Sequence, residues 1–219
     1  MMKNWIEADW PQITGIKAGT TLRMDLAHIR TECHLPAEPL WLTQVHGIRV
    51  LALSQNHIPS DLHADGSFTD ENNTVCVVRS ADCLPILCAD RKTRRIMALH
   101  AGWRGLAQGI IEEGFKHFAN LQDVQVWLGP AISGQVYEVG IDVYDAFLKH
   151  RPKDILGFIQ VDATHWHLDM VAVARDRLMS LGVKSIHGGE YCTYQDKTRF
   201  YSYRRDGQTG RMATFIFKA

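Results

Sequence analysis

The stretch MALHAGWRGLAQG, Met97 to Gly109, passes from one regular structure to another within four residues. Its apolar start reads as a buried strand that ends at His100. Its second half carries apolar residues at helical spacing, Leu106, Ile110, Ile111, Phe115 and Phe118, which predicts a helix over 105–121. Between them, the AGWRG corner sets His100, Trp103 and Arg104 beside Gly102 and Gly105. Glycines let a backbone approach a ligand closely, and the start of a helix offers free N–H groups. A strand-to-helix corner of this composition is a place for a ligand.

Outward from this corner, the chain alternates strands and helices imperfectly. PLWLTQVHGIRVLALS (39–54) reads as a strand, or two strands meeting at the His46-Gly47 bend. ADGSFTDENN (64–73) has the composition of a turn-rich loop. TVCVVRSADCLPILCAD (74–90) reads as a buried strand interrupted at Asp82-Cys83, with Pro85 ending the ladder. RRIMALH (94–100) and VQVWLG (124–129) are further strands, and a helix is expected near 141–150. DMVAVARDRLMSLG (169–182) is a clear amphipathic helix with Gly182 as its stop. Two last strands fit 199–204 and 211–217. No linker-like boundary interrupts residues 1–219, so one domain of mixed-sheet α/β or α+β type is expected. The similarity of IMALHAGWRG to VQVWLGPAISG reads as two ordinary strand–turn–helix corners.

The chain's 219 residues suffice to bury roughly 70% of the unfolded surface. Lys+Arg and Asp+Glu balance at 24 each, which argues against nucleic acid or an anionic membrane as the main partner. The start, MMKNWIEADWPQ, lacks the apolar core of a signal peptide. No run approaches the ~18 apolar residues of a membrane span. Five cysteines without a CxxC pair suit a reducing compartment, and a cytoplasmic protein is expected.

His46, Cys83 and His100 each lie at the end or break of a predicted strand, beside Gly47, Pro85 and Gly102. Strand ends of one sheet converge in space. Two imidazoles and a thiolate suit Zn²⁺ with an open fourth position, where bound water ionises near pH ~7. The same residues allow other readings: three unrelated core residues, a Cys83 nucleophile with a histidine base, or the His₂Cys set of a copper site. A multi-copper centre needs many more histidines. The one His-x-His pair, His165 and His167 in THWHLD, reads as an exposed polar edge. Arg104 offers a fork for phosphate or carboxylate and Trp103 a face for a ring. Near the C-terminus, Tyr201, Tyr203, Arg204 and Arg205 form either a surface hairpin or a wall for an anionic or ring-bearing ligand. HExxH, GxxxxGK[ST], the dinucleotide glycine fingerprint and the nucleobase-deaminase pattern are absent.

Taken in order, WLTQVHG (41–47), ADG (64–66), SADCLPILCAD (80–90), ALHAGWRGLAQGI (98–110), WLGPAISGQVYEVG (127–140), GGEYCTY (188–194) and FYSYRRDGQTGRMATFI (200–216) resemble the YfiH-type laccase-domain family. That family is also described as purine nucleoside phosphorylase or polyphenol oxidase. The resemblance implies a four-layer αββα arrangement of mixed β-sheets and a zinc site at His46, Cys83 and His100. It implies phosphorolysis of adenosine, inosine, guanosine and methylthioadenosine, and deamination of adenosine. A laccase label rests on copper-dependent oxidation of phenols in some members, and a further role edits peptidoglycan precursors. Phosphate and a purine nucleoside are thus the expected partners, at Gly102, Trp103, Arg104, Gly105, Arg204 and Arg23. One departure is plain. Family members carry an N-terminal Arg-x-Gly-Gly-x-Ser loop. Here AGTTLR runs straight into MDLAHIRTECHLP, with Arg23 in the arginine's place and no glycine–serine loop after it.

Overall fold

The computed structural model describes residues 3–219. The chain opens with β1 (Trp5–Glu7), β2 (Ile16–Thr21) and one helical turn, α1 (Ile29–Glu32). β3 (Val50–Ala52), β4 (Gly66–Thr69), β5 (Val75–Ser80), β6 (Leu84–Asp90) and β7 (Ile96–Ala101) follow, then α2 (Trp103–Gln108) and α3 (Ile110–Phe115). Next come β8 (Val124–Leu128), β9 (Glu138–Gly140), α4 (Ile141–His150), β10 (Phe158–Gln160), β11 (His165–Leu168) and α5 (Met170–Leu181). β12 (Ser185–Gly188), α6 (Tyr203–Asp206) and β13 (Met212–Lys218) complete it.

Three sheets form. The largest has the order β12-β8-β6-β7-β4-β3, parallel at its two outer pairs and antiparallel between. A second, β1-β2-β13-β5, is antiparallel throughout. The third is a small antiparallel sheet, β10-β11-β9.

Side-chain alternation builds the layers. In β6, Leu84, Ile86 and Cys88 face the helices, while Leu87 and Ala89 face the four-stranded sheet. In that sheet, Cys76, Val78 and Ile216 point inward, and Val75, Val77, Phe215 and Phe217 point outward onto Ile29 of α1. On the far side, Leu106, Ile111, Phe147 and Leu178 of α2 to α5 cover the six-stranded sheet. The result is the four-layer αββα, α+β arrangement with mixed sheets. Strands buried on both faces account for the near-continuous apolar runs in β6 and β7.

Several local expectations need correction. The segment 64–73 is not all loop, because β4 lies within the six-stranded sheet between β3 and β7. Gly66 fits there because a Cβ would stand 2.5 Å from Leu99 Cδ2. Pro85 does not end its ladder; it lies inside β6, opposite His100. The helix expected over 105–121 breaks at Gly109, whose φ of 100° caps α2 and starts α3, and α3 ends at Phe115. Of 39–54, only Val50–Ala52 is a named strand. Residues 199–204 are not a strand: Ser202 accepts from the Arg205 N–H and caps the short α6. The helix at α5 conforms to expectation, with Asp169 as N-cap and Gly182 as left-handed C-cap.

Candidate functional site

β5 and β6 are consecutive strands in different sheets, and Ala81, Asp82 and Cys83 make the crossing. Cys83 therefore sits where the two sheets part. His100, near the end of β7, points toward the same gap, and the His46-Gly47 turn covers it. The donor atoms of His46, Cys83 and His100 all lie within 4.8 Å of one another. Among the described residues this is the one group of three or more His, Cys, Asp or Glu side chains gathered closely enough to hold an ion.

One buried carboxylate organises two of the three. Asp65 accepts from Nδ1 of His100 at 2.8 Å. It also accepts from the backbone N–H groups of Val45, His46 and Gly47 at 3.1, 2.9 and 2.7 Å. Burial alone raises the Asp65 carboxyl pKa, but the donors from His100 and the turn outweigh it and hold it below its usual range. His46 has a φ of 60°, a conformation that few non-glycine residues adopt without such support. The contact to Nδ1 turns Nε2 of His100 toward Cys83.

The thiol is unlike its neighbours. Burial pushes Cys33 and Cys76 up to about 12. Burial acts on Cys83 in the same direction, but hydrogen bonds from His100 and His46 overcome it and bring the thiol down to about 6. The Sγ stands 3.8 Å from Nε2 of His46. Burial lowers His100, while Asp65 and Cys83 raise it further, to about 9.

The donor chemistry fits a metal. Two imidazole nitrogens and a thiolate-prone sulfur within 4.8 Å can close on an ion with bonds of about 2.0–2.3 Å. Gly102 leaves room for them: a Cβ there would meet His46 Cδ2 at 2.6 Å and Cys83 Sγ at 3.2 Å. Gly105 packs on the same turn, its missing Cβ replaced by the Gly47 carbonyl oxygen at 2.6 Å. Both glycines thus have a packing reason.

The cluster forms the floor of a cavity of about 780 Å³. Trp103, Arg104, Tyr137 and Arg204 line it as well, as do Arg79 and Arg211. Asp82, at φ 96°, accepts from Thr193 Oγ1 at 2.6 Å, Ser202 Oγ at 3.0 Å and the Arg204 N–H at 2.7 Å. It latches the C-terminal segment to the residue beside Cys83. Arg204 stacks on Tyr137 at 5.0 Å and donates to the Glu138 carbonyl.

The other expected residues lie elsewhere. Arg23 is absent from the cavity lining; it stacks on Tyr201 and donates to the carbonyls of Lys197 and Phe200. Its alignment with a family arginine gave no information on direction. Arg205 pairs with Asp206, whereas Tyr203, though exposed, lines the cavity with Arg204. His165 and His167 lie on β11 and take no part in the cluster. Asp65 and Asp82 escaped the sequence reading. ADG and ADC were visible as motifs, but nothing local says which distant donors their carboxylates meet.

A family profile described as multi-copper polyphenol oxidoreductase laccase matches residues 20–219. The chain belongs to this laccase-like family. It is similar to the purine nucleoside phosphorylase YfiH of Escherichia coli (strain K12), at 38% identity over 243 residues and 99% of each chain. It is 43% identical to a purine nucleoside phosphorylase of Haemophilus influenzae over 187 residues, 84% of this chain and 75% of that protein. The crystal structure of Neisseria meningitidis protein NMB0706 shares its fold with a TM-score of 0.91, at 32% identity over 99% of both chains. The YfiH-type resemblance therefore holds over the whole chain. The match to the E. coli protein spans 243 positions against 219 residues here, so at least 24 have no counterpart in this chain. Among the described residues no helix is long and apolar enough to cross a membrane.

Proposed function

We propose that this laccase-family member is a zinc-dependent purine nucleoside enzyme. It would cleave adenosine, inosine, guanosine and methylthioadenosine with phosphate, and deaminate adenosine. The observation that carries this reading is the convergence of His46, Cys83 and His100 at the floor of the cavity. The names of its relatives support the substrate class.

His46, Cys83 and His100 would hold the metal. When bound, zinc supplies a Lewis acid that makes hydroxide available near pH ~7. Copper has the same donors open to it. Asp65 accepts from Nδ1 of His100 and would thereby leave Nε2 to the metal once its proton is displaced. Trp103 and Tyr137 offer faces to the purine. Arg104 and Arg204, with the Gly102–Gly105 turn behind them, would hold the attacking phosphate. In phosphorolysis a phosphate oxygen forms a bond to ribose C1′, the C1′–N9 bond breaks and the base leaves with the electron pair. In deamination, water adds at C6 and ammonia leaves. The reading treats residues 1–219 as one domain and places it in the cytoplasm, where the Cys83 thiol stays reduced.

A second reading rests on the Cys83–His46 pair at 3.8 Å and the lowered thiol. In it, Cys83 is the nucleophile of an amide hydrolase that edits a peptidoglycan precursor.

Chromatography of adenosine incubations, with and without phosphate, separates the readings. Adenine that appears only with phosphate, or inosine without it, supports the purine enzyme. No product from folded, zinc-loaded protein contradicts it.

A further inference from the structure

The cavity is electrostatically unlike the rest of this chain. Among the described residues, nine of fifteen arginines stand within 4.0 Å of a carboxylate. Of the six that do not, four line this one cavity: Arg79, Arg104, Arg204 and Arg211. The other two, Arg94 and Arg175, donate to main-chain carbonyls. Asp82 is the single carboxylate in the lining, and its oxygens are taken by Thr193, Ser202 and the Arg204 N–H. A chain with no net charge thus gathers four uncompensated guanidiniums around one opening. Like charges held together raise the free energy of the empty protein, and an anion relieves them.

The four fall into two groups by position. Arg104 and Arg204 are carried by α2 and α6, over Trp103 at 4.2 Å and Tyr137 at 5.0 Å; Arg79, from the other group, also lies over a ring, Trp41, at 5.4 Å. Arg79 lies in β5, and Arg211 immediately precedes β13, whose Met212 and Ala213 pair in register with Ser80 and Arg79. Arg79 donates to the Leu42 carbonyl, and Arg211 to those of Thr209 and Gly210. Each guanidinium has five N–H donors, so both keep unused ones. A single phosphate engages one such pair. Phosphorolysis of a neutral nucleoside leaves the second pair without a ligand.

We propose that the substrate brings an anion of its own: a purine nucleoside that carries a phosphoryl group, seated on Arg79 and Arg211. This inference rests on the purine reading above and narrows it from neutral nucleosides to nucleotides. The ring would lie between this rim and the metal-binding floor, with the phosphoryl group at the mouth.

The test is equilibrium binding of adenosine and of adenosine 5′-monophosphate to the zinc-loaded protein, with R79Q/R211Q alongside. Native protein is expected to bind the monophosphate at least about tenfold more tightly, with an advantage that shrinks as salt rises. The double variant is expected to stay folded, to keep its affinity for adenosine, and to lose the advantage. Equal affinity for the two ligands in native protein overturns the proposal, as does an advantage that the double variant retains. If neither purine binds, the purine reading fails, and inorganic pyrophosphate alone decides the anion site. Binding that weakens about tenfold in R79Q/R211Q then supports it, and binding that is unchanged overturns it.

Discussion

Asp65 holds His100 by a 2.8 Å contact between carboxylate and Nδ1, with both side chains buried. The same carboxylate closes the turn that presents His46. One side chain therefore sets the positions of two of the three donors. Asp65→Asn keeps the shape but loses a charge and an acceptor, so zinc affinity is expected to fall about 10- to 100-fold. Competition with a chelator measures this. The sign of the pH effect follows from the lowered carboxyl. Its stabilisation is present above its unfolded pKa of about 4 and is lost as pH falls through the lower folded value. Acid unfolding of D65N is expected to depend less steeply on pH than that of native protein.

Gly102 lies against His46 and Cys83. Gly102→Ala would push a methyl group into both and spread the donor set. The expected cost is about 1–3 kcal/mol in stability, together with weakened zinc binding. Native-like zinc affinity in a folded G102A protein would contradict the packing argument.

The metal-free protein should show an unusual cysteine. With the Cys83 thiol near 6, the thiolate dominates above that pH, whereas an ordinary thiol ionises near 8.5. Alkylation of Cys83 by iodoacetamide is expected to rise between about pH 5 and 7 and then level off, and zinc should protect it. An inflection at the ordinary thiol value would contradict the His46 and His100 contacts.

Arg104 has no carboxylate partner and lines the cavity over Trp103. Arg104→Gln is expected to raise the KM for phosphate about tenfold, the worth of one charge-assisted hydrogen bond. The KM for adenosine should change much less. A rise confined to adenosine would assign Arg104 to the nucleoside instead.

The parts of the site that the sequence displayed are those marked by local punctuation. His46, Cys83 and His100 each stand at a break in an apolar run, within two residues of glycine or proline, where the two sheets part. The runs themselves gave β6, β7 and β8, because strands covered on both faces need continuous apolar residues. β4 was invisible for the opposite reason. Its Gly66, Ser67 and Thr69 carry turn propensity, but neighbours β3 and β7 supply the hydrogen bonds that make it a strand. FYSY in 200–203 alternates like a strand, yet Ser202 serves as a helix cap and accepts from Arg205. Asp65 and Asp82 show the remaining limit. Each carboxylate acts on residues 18 or more positions away, and that distance is closed only by the folded sheets.

The proposed purine activity requires one metal, held by His46, Cys83 and His100. The most direct measurement is a zinc titration of metal-free protein, following adenine released from adenosine in phosphate. Release should rise linearly with zinc, stop at a single equivalent, and be absent in Cys83→Ala at every zinc level. Full release from metal-free protein, or a C83A protein that works as well as native, would contradict the account.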